Sequence, residues 1–180
     1  MTRRLMLLRH AKSGWPDGVP DHDRPLAGRG RRDAAAIGRW LRDRGYLPDA
    51  VVCSTALRAR QTWELLAPQL GPQARPAVTF QPLAYAASAD GLLRLARELP
   101  GRCRAALLVG HNPGLAELAA GLAGQLPGGR LPTAAVAVLE VAGDWQALAA
   151  GQARLADFAV PRELAKAVRP ASPGRRARCP

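Results

Sequence analysis

Two histidines and two arginines of this 180-residue chain stand where apolar runs end. Arg9 and His10 close the run "RLMLL", His111 follows "AALLVG", and Arg58 lies in "STALRARQT", directly after "AVVC". An uncharged imidazole is a good nucleophile near neutral pH, because its conjugate acid has a reference pKa of about 6.5. The planar, forked donors of a guanidinium match the oxygens of a phosphoryl group better than an ammonium does. Gathered at one place, these side chains would surround phosphoryl oxygens while an imidazole attacks phosphorus in line. A single histidine at a strand end reads as an ordinary loop residue, but two of the chain's three histidines stand there, and with Arg58 they read as a site.

The elements that must position them follow from apolar spacing. Runs at 4–9, 49–54, 77–80, 104–111, 134–141 and 153–160 read as strands. Spacings of three and four predict helices over about 28–44, 56–69, 88–99 and 114–123. This alternation implies crossovers, hence a three-layer α/β/α fold with a mostly parallel central sheet. The last two strands have no long helix between them, so an antiparallel edge is expected. In an open sheet of this kind ligands gather at the carboxyl ends of the strands, where the histidines fall. Ser54 or Thr55 is expected to cap the second helix, Gln61 and Thr62 to pack within it, and Lys12 and Ser13 to lie close to a bound phosphate or in a solvated loop.

With 48% hydrophobic residues the chain can bury one core. The net charge of +12 draws anions without saying which. Much of it lies in 28–45, where the arginines read as a solvated helix face, and in "RPASPGRRARCP" from Arg169. Residues 1–162 are therefore read as one domain, and 163–180 as a basic tail, disordered because it lacks apolar periodicity. No apolar stretch approaches the roughly 18 residues of a membrane span, and no leader pattern opens the chain, so a cytoplasmic protein without a membrane partner is expected. Cys53, Cys103 and Cys179 form neither a disulfide framework nor a zinc pattern. Aromatic residues make up 4%, too few for stacking platforms, and no specific nucleic-acid partner is expected. A thiol phosphatase loop is out of register, since its arginine would have to stand where Ala59 does relative to Cys53.

The Arg9-His10 pair, "STALRARQT" and "GHNP" together resemble the histidine phosphatase superfamily, specifically its SixA-type phosphohistidine phosphatase branch. The resemblance extends over about residues 3–160, through "DHDRPLAGRGRRDA", "LPTAAVAVLEV" and Trp145. It implies that His10 is the residue that becomes phosphorylated, that Arg9 and Arg58 clamp the phosphoryl oxygens, and that His111 is the second histidine of the pocket. One departure is Ala11, where most relatives carry Gly; Ala is small enough to leave His10 approachable. No cofactor and no metal ligand set are expected, because the arginines supply the positive charge and no carboxylates cluster near the motifs.

Many relatives carry an acid in the loop after the third strand, yet here that loop reads "QPLAYAAS". An alkoxide leaving group needs a proton donor, whereas a ring-protonated phosphohistidine leaves as neutral imidazole. The expected function is therefore metal-independent removal of phosphate from phosphohistidine in a partner protein, such as a phosphotransfer domain in signal transduction. Alternatives are a broad phosphomonoesterase acting on small phosphorylated substrates, with Asp21, Asp23 or His111 as acid, and a non-catalytic phosphate- or polyanion-binding protein.

Overall fold

The computed structural model describes residues 2–167. Its strands are β1 (Thr2–Arg9), β2 (Ala50–Ser54), β3 (Ala77–Gln81), β4 (Ala105–Gly110), β5 (Val136–Ala142) and β6 (Ala153–Ala159). They form one sheet in the order β3-β2-β4-β1-β5-β6. The first four strands run parallel, β5 is antiparallel to β1, and β6 is antiparallel to β5. The helices are α1 (Gly28–Asp43), α2 (Leu57–Leu66), α3 (Ala89–Arg97), α4 (Gly114–Ala123) and α5 (Pro161–Ala167).

The stretch of a strand covered by helices on both faces must be apolar, and the middle of β1 shows this: Leu5, Met6, Leu7 and Leu8 are all fully buried. Side chains alternate across the sheet. Leu5 and Leu7 accordingly join the core beneath α3 and α4, while Met6 and Leu8 join the one beneath α1 and α2. The expected three-layer α/β/α architecture and its antiparallel edge are what the chain forms.

Two elements differ from the expectation. The helix expected over 56–69 ends as an α-helix at Leu66 and tightens into a 3-10 turn over Ala67–Leu70, since Pro68 has no N–H to continue the ladder. Past β6, the boundary expected at 162 falls inside α5, which Pro161 opens, a position where its missing N–H costs nothing. Leu164 packs on the α1 side of the core, so residues 163–167 continue a helix. The rest of the expected basic tail, 168–180, lies outside the described residues.

Register delivers the site. Arg9 pairs with Gly110 across the parallel β1–β4 ladder, so His10 and His111 leave the sheet side by side, and the His10 N–H donates to the Gly110 carbonyl at 3.0 Å. On the other side of β4, Cys53 pairs with Val109, which brings Ser54 level with the same end.

Two glycines hold the neighbouring loops against helices. A Cβ on Gly30, in the first turns of α1, would stand 2.1 Å from the Lys12 carbonyl oxygen, and one on Gly114 would stand 2.0 Å from that of Ala87. Backbone cannot yield as a flexible side chain can. Gly30→Ala is therefore expected to destabilise the fold by about 1–3 kcal/mol in denaturant unfolding. Gly121→Ala, on α4 with nothing within 4 Å of the added carbon, should stabilise it by about 0.5–1 kcal/mol. Equal effects at the two positions would show that α1 does not rest on the Lys12 backbone.

Candidate active site

His10 is the first residue beyond β1 and is 8% exposed. Its Nδ1 lies 2.8 Å from the Ala11 carbonyl oxygen. A carbonyl only accepts, so Nδ1 carries the ring proton and Nε2 keeps its lone pair. That lone pair accepts from Arg58 Nε at 3.3 Å. The turn is fastened from α2: the Ala11 N–H donates to Thr62 Oγ1 at 3.0 Å, and the Thr62 hydroxyl donates to the Arg58 carbonyl at 2.6 Å. Burial lowers the His10 pKa to about 4, with the charges of Arg58, Arg9 and Arg24 adding and the Ala11 carbonyl opposing.

The His111 ring centroid is 5.0 Å from that of His10. Its Nε2 is 2.8 Å from Ser54 Oγ, and its Nδ1 is buried with no hydrogen-bond partner among the described residues. Burial, then the neighbouring His10 and Arg58, lower its pKa to about 3. Both rings are thus held neutral at ordinary pH.

Arg58 is 6% exposed and faces a carboxylate as well as His10. Its Nη2 donates to Asp21 Oδ2 at 2.9 Å and its Nη1 to the Asp21 carbonyl. Asp21 also accepts from Arg24 Nη1 at 2.7 Å and from the Tyr85 hydroxyl at 2.8 Å. The bonds from Arg24, Tyr85 and Arg58 hold the Asp21 carboxyl well below the usual carboxylate range, against the opposing effect of desolvation. Arg9 points the other way, toward β5, where its Nη1 donates to the Leu131 carbonyl at 3.1 Å and its Nε is buried without a partner.

The structure brings His10, Arg58 and His111 into contact distance and places Arg9 on the opposite flank. Ser54 does not cap α2, whose N-cap is Ala56. The fully buried Ser54 oxygen accepts the N–H of Ala56, at 3.3 Å, ahead of the helix, and lies closer to His111. Thr62 and Gln61 do more than pack, since Gln61 Oε1 accepts the Leu26 N–H at 2.8 Å and pins the loop between β1 and α1. Ser13 accepts from Arg24 at 2.8 Å. Asp23 pairs with His22 rather than with an arginine of the site. Tyr85 and Arg24, which sequence reasoning did not single out, join the candidate site through Asp21, and the Tyr85 ring also stands edge-on to His111. Burial pushes the Cys53 thiol up to about 12, which removes it as a nucleophile. Among the described residues no group of three or more His, Cys, Asp or Glu side chains is arranged to hold a metal ion, and no helix is long and apolar enough to cross a membrane.

Comparison with known proteins agrees with this geometry. A family model for the histidine phosphatase superfamily (branch 1) matches residues 5–86, the stretch that carries Arg9, His10 and Arg58. An uncharacterized protein of Mycobacterium tuberculosis is 40% identical over 164 residues, 86% of this chain and 100% of the relative. Two solved structures, each named "putative phosphohistidine phosphatase SixA", share the fold. The one from Nakamurella multipartitia is 33% identical, with 89% of this chain and 97% of that one covered at a TM-score of 0.77. The one from Agrobacterium tumefaciens is 30% identical, with 88% and 98% covered at the same TM-score of 0.77. With a relative of known family 33% identical along nearly its whole length, the chain belongs to the histidine phosphatase superfamily.

Proposed function

We propose that this phosphatase transfers the phosphoryl group of a phosphohistidine in a partner protein to His10 and then to water, without a metal ion. In the first step the Nε2 lone pair of His10 forms the new P–N bond as the substrate's P–N bond breaks. The substrate ring, protonated at its other nitrogen, departs as neutral imidazole. Water then attacks phosphorus, the bond to His10 breaks, and both water protons leave on the phosphate or its surroundings while His10 returns to its neutral form. The guanidiniums of Arg58 and Arg9 would stabilise the equatorial oxygens in both steps.

The observation that carries the substrate class is the state of Asp21. It is the carboxylate that contacts Arg58, and three donors hold it ionised, so it has no proton to give a leaving group. Neutral His111 has none to spare as an acid either. Such a site favours a leaving group that needs no protonation. The rim supports a protein substrate: Trp15 and Leu83, in loops that also carry Ser13 and Tyr85, are 73% and 72% exposed. The names of the two SixA structures point the same way.

Under one set of conditions, phosphohistidine peptide and para-nitrophenyl phosphate should be hydrolysed faster than phosphoserine peptide by roughly 100- to 10,000-fold, the usual contribution of general acid catalysis. Chelator should leave those rates unchanged. Equal rates on phosphohistidine and phosphoserine would reveal an acid and a broader phosphomonoesterase; a loss restored by a divalent ion would refute the metal-free scheme.

The lowered pKa of about 4 also has a stability consequence. In the unfolded chain a histidine binds its proton near pH 6.5, whereas folded His10 resists it until about pH 4, so the unfolded state takes up more protons as pH falls through this window. The contribution of His10 is therefore complete above about pH 6.5 and lost progressively toward pH 4. NMR titration should show the His10 and His111 rings neutral from pH 8 down to 5.5, with the unfolding temperature falling below pH 6.5; titration of either ring near 6.5 would contradict the assigned nucleophile state.

A further inference from the structure

The flank of the site away from Asp21 opens into a cavity of about 550 Å³. Among the described residues four arginines line it: Arg9 from the end of β1, Arg29 from the first turn of α1, Arg130 from the loop before β5, and Arg162 from α5. Asp33 is the one carboxylate among the described residues of the lining, and it pairs with Arg29 at 3.5 Å. Glu163 stands 3.9 Å from Arg162, at the limit of an ion pair. Arg130 has no ion-pair partner among the described residues. Gathering cations around a cavity with so little compensation raises the local potential for anions.

The cavity adjoins the reacting atoms through two residues. Arg9 precedes His10, and Asn112, also in the lining, follows His111. Both carry a buried polar atom without a partner, Arg9 Nε and Asn112 Oδ1. The guanidinium of Arg9 thus faces a space lined by further guanidiniums, while that of Arg58 is engaged with Asp21 on the other flank. A volume of this size is within the range of small-ligand pockets, roughly 300–1,000 Å³, and far exceeds one phosphoryl group.

We infer that this cavity is a second anion subsite, which takes a carboxylate or phosphate borne by the substrate beside the phosphoryl group being transferred. The inference rests on the reading of His10 as phosphoryl acceptor. It makes the preferred substrate one with two anionic groups: the phosphoryl group over His10, flanked by Arg9, and a second anion between Arg130 and Arg162. Arg29 is engaged by Asp33 and contributes mainly to the field.

The test uses the full chain and three probes as competitive inhibitors of para-nitrophenyl phosphate hydrolysis. Methylphosphonate carries one anionic group, phosphonoacetate adds a carboxylate, and methylenediphosphonate adds a second phosphonate. At least one two-anion probe should bind roughly tenfold more tightly than methylphosphonate, the effect of one added charge-assisted hydrogen bond, and which one does so identifies the anion. In Arg130→Glu/Arg162→Glu the gain should vanish, while para-nitrophenyl phosphate is still turned over and methylphosphonate still inhibits, each weakened only by the lowered positive field. Arg39→Glu/Arg94→Glu, which removes the same net charge on exposed faces of α1 and α3, should keep the gain. Equal inhibition by all three probes, or a gain that survives in Arg130→Glu/Arg162→Glu, would overturn the subsite. If para-nitrophenyl phosphate is not turned over at all, the proposed function has failed. Calorimetric titration of the same probes then reads the cavity by itself, with the same expected difference and the same overturning results.

Discussion

A histidine can attack phosphorus only while it is uncharged and only through a nitrogen that carries a lone pair. Both conditions are met at His10 by its position one residue beyond β1, whose run 5–8 is fully buried. Burial keeps the ring neutral, and the Ala11 carbonyl, 2.8 Å from Nδ1, accepts the hydrogen bond of Nδ1–H, which fixes the ring proton there and leaves Nε2 with its lone pair. The rest of the site serves this arrangement. The β1–β4 register sets His111 alongside, Thr62 ties down the Ala11 N–H, and Gly30 lets α1 press against the Lys12 backbone.

The positive charge of the site needs its own containment. Arg58 is at least as buried as His10, and a buried guanidinium without a counter-ion would cost several kcal/mol, on the order of 3–5. Asp21 supplies the counter-charge and is itself held by Arg24 and Tyr85. Its carboxylate occupies donors that the proposed reaction assigns to the phosphoryl group, so on that proposal substrate would compete with Asp21 for Arg58. Because Asp21 is half-exposed, its side chain at 47%, displacement costs far less than removal of a buried partner would.

Local patterns in the sequence announced much of this and long-range pairings did not. The apolar run from Leu5 to Leu8 ending on Arg9 and His10, and the run into "GHNP", marked two strand ends at one sheet edge, and strand-helix alternation implied the parallel core. Ser54 was misread because hydroxyls so often cap helices. Its neighbour across the sheet, His111, is 57 positions away, and nothing in the local pattern shows it. The bond between Tyr85 and Asp21 spans 64 positions and joins two loops that have no periodicity of their own. Helix α5 was hidden by its length, since seven residues make too few turns for an apolar stripe to repeat. Asp21 could be suspected of folding over the site, but its role as an ionised counter-charge became legible only with its three donors in place.

The central claim is that the phosphoryl group rests on Nε2 of His10 between its two transfers. Rapid acid-free quenching of a reaction with phosphohistidine peptide, followed by phosphorus NMR and peptide mass spectrometry in alkali, tests this directly. The account predicts one phosphoryl group, stable to base and labile to acid, attached to Nε2 of His10 and absent from His10→Ala. Turnover with the phosphoryl group on another residue, or undiminished turnover in His10→Ala, would contradict it.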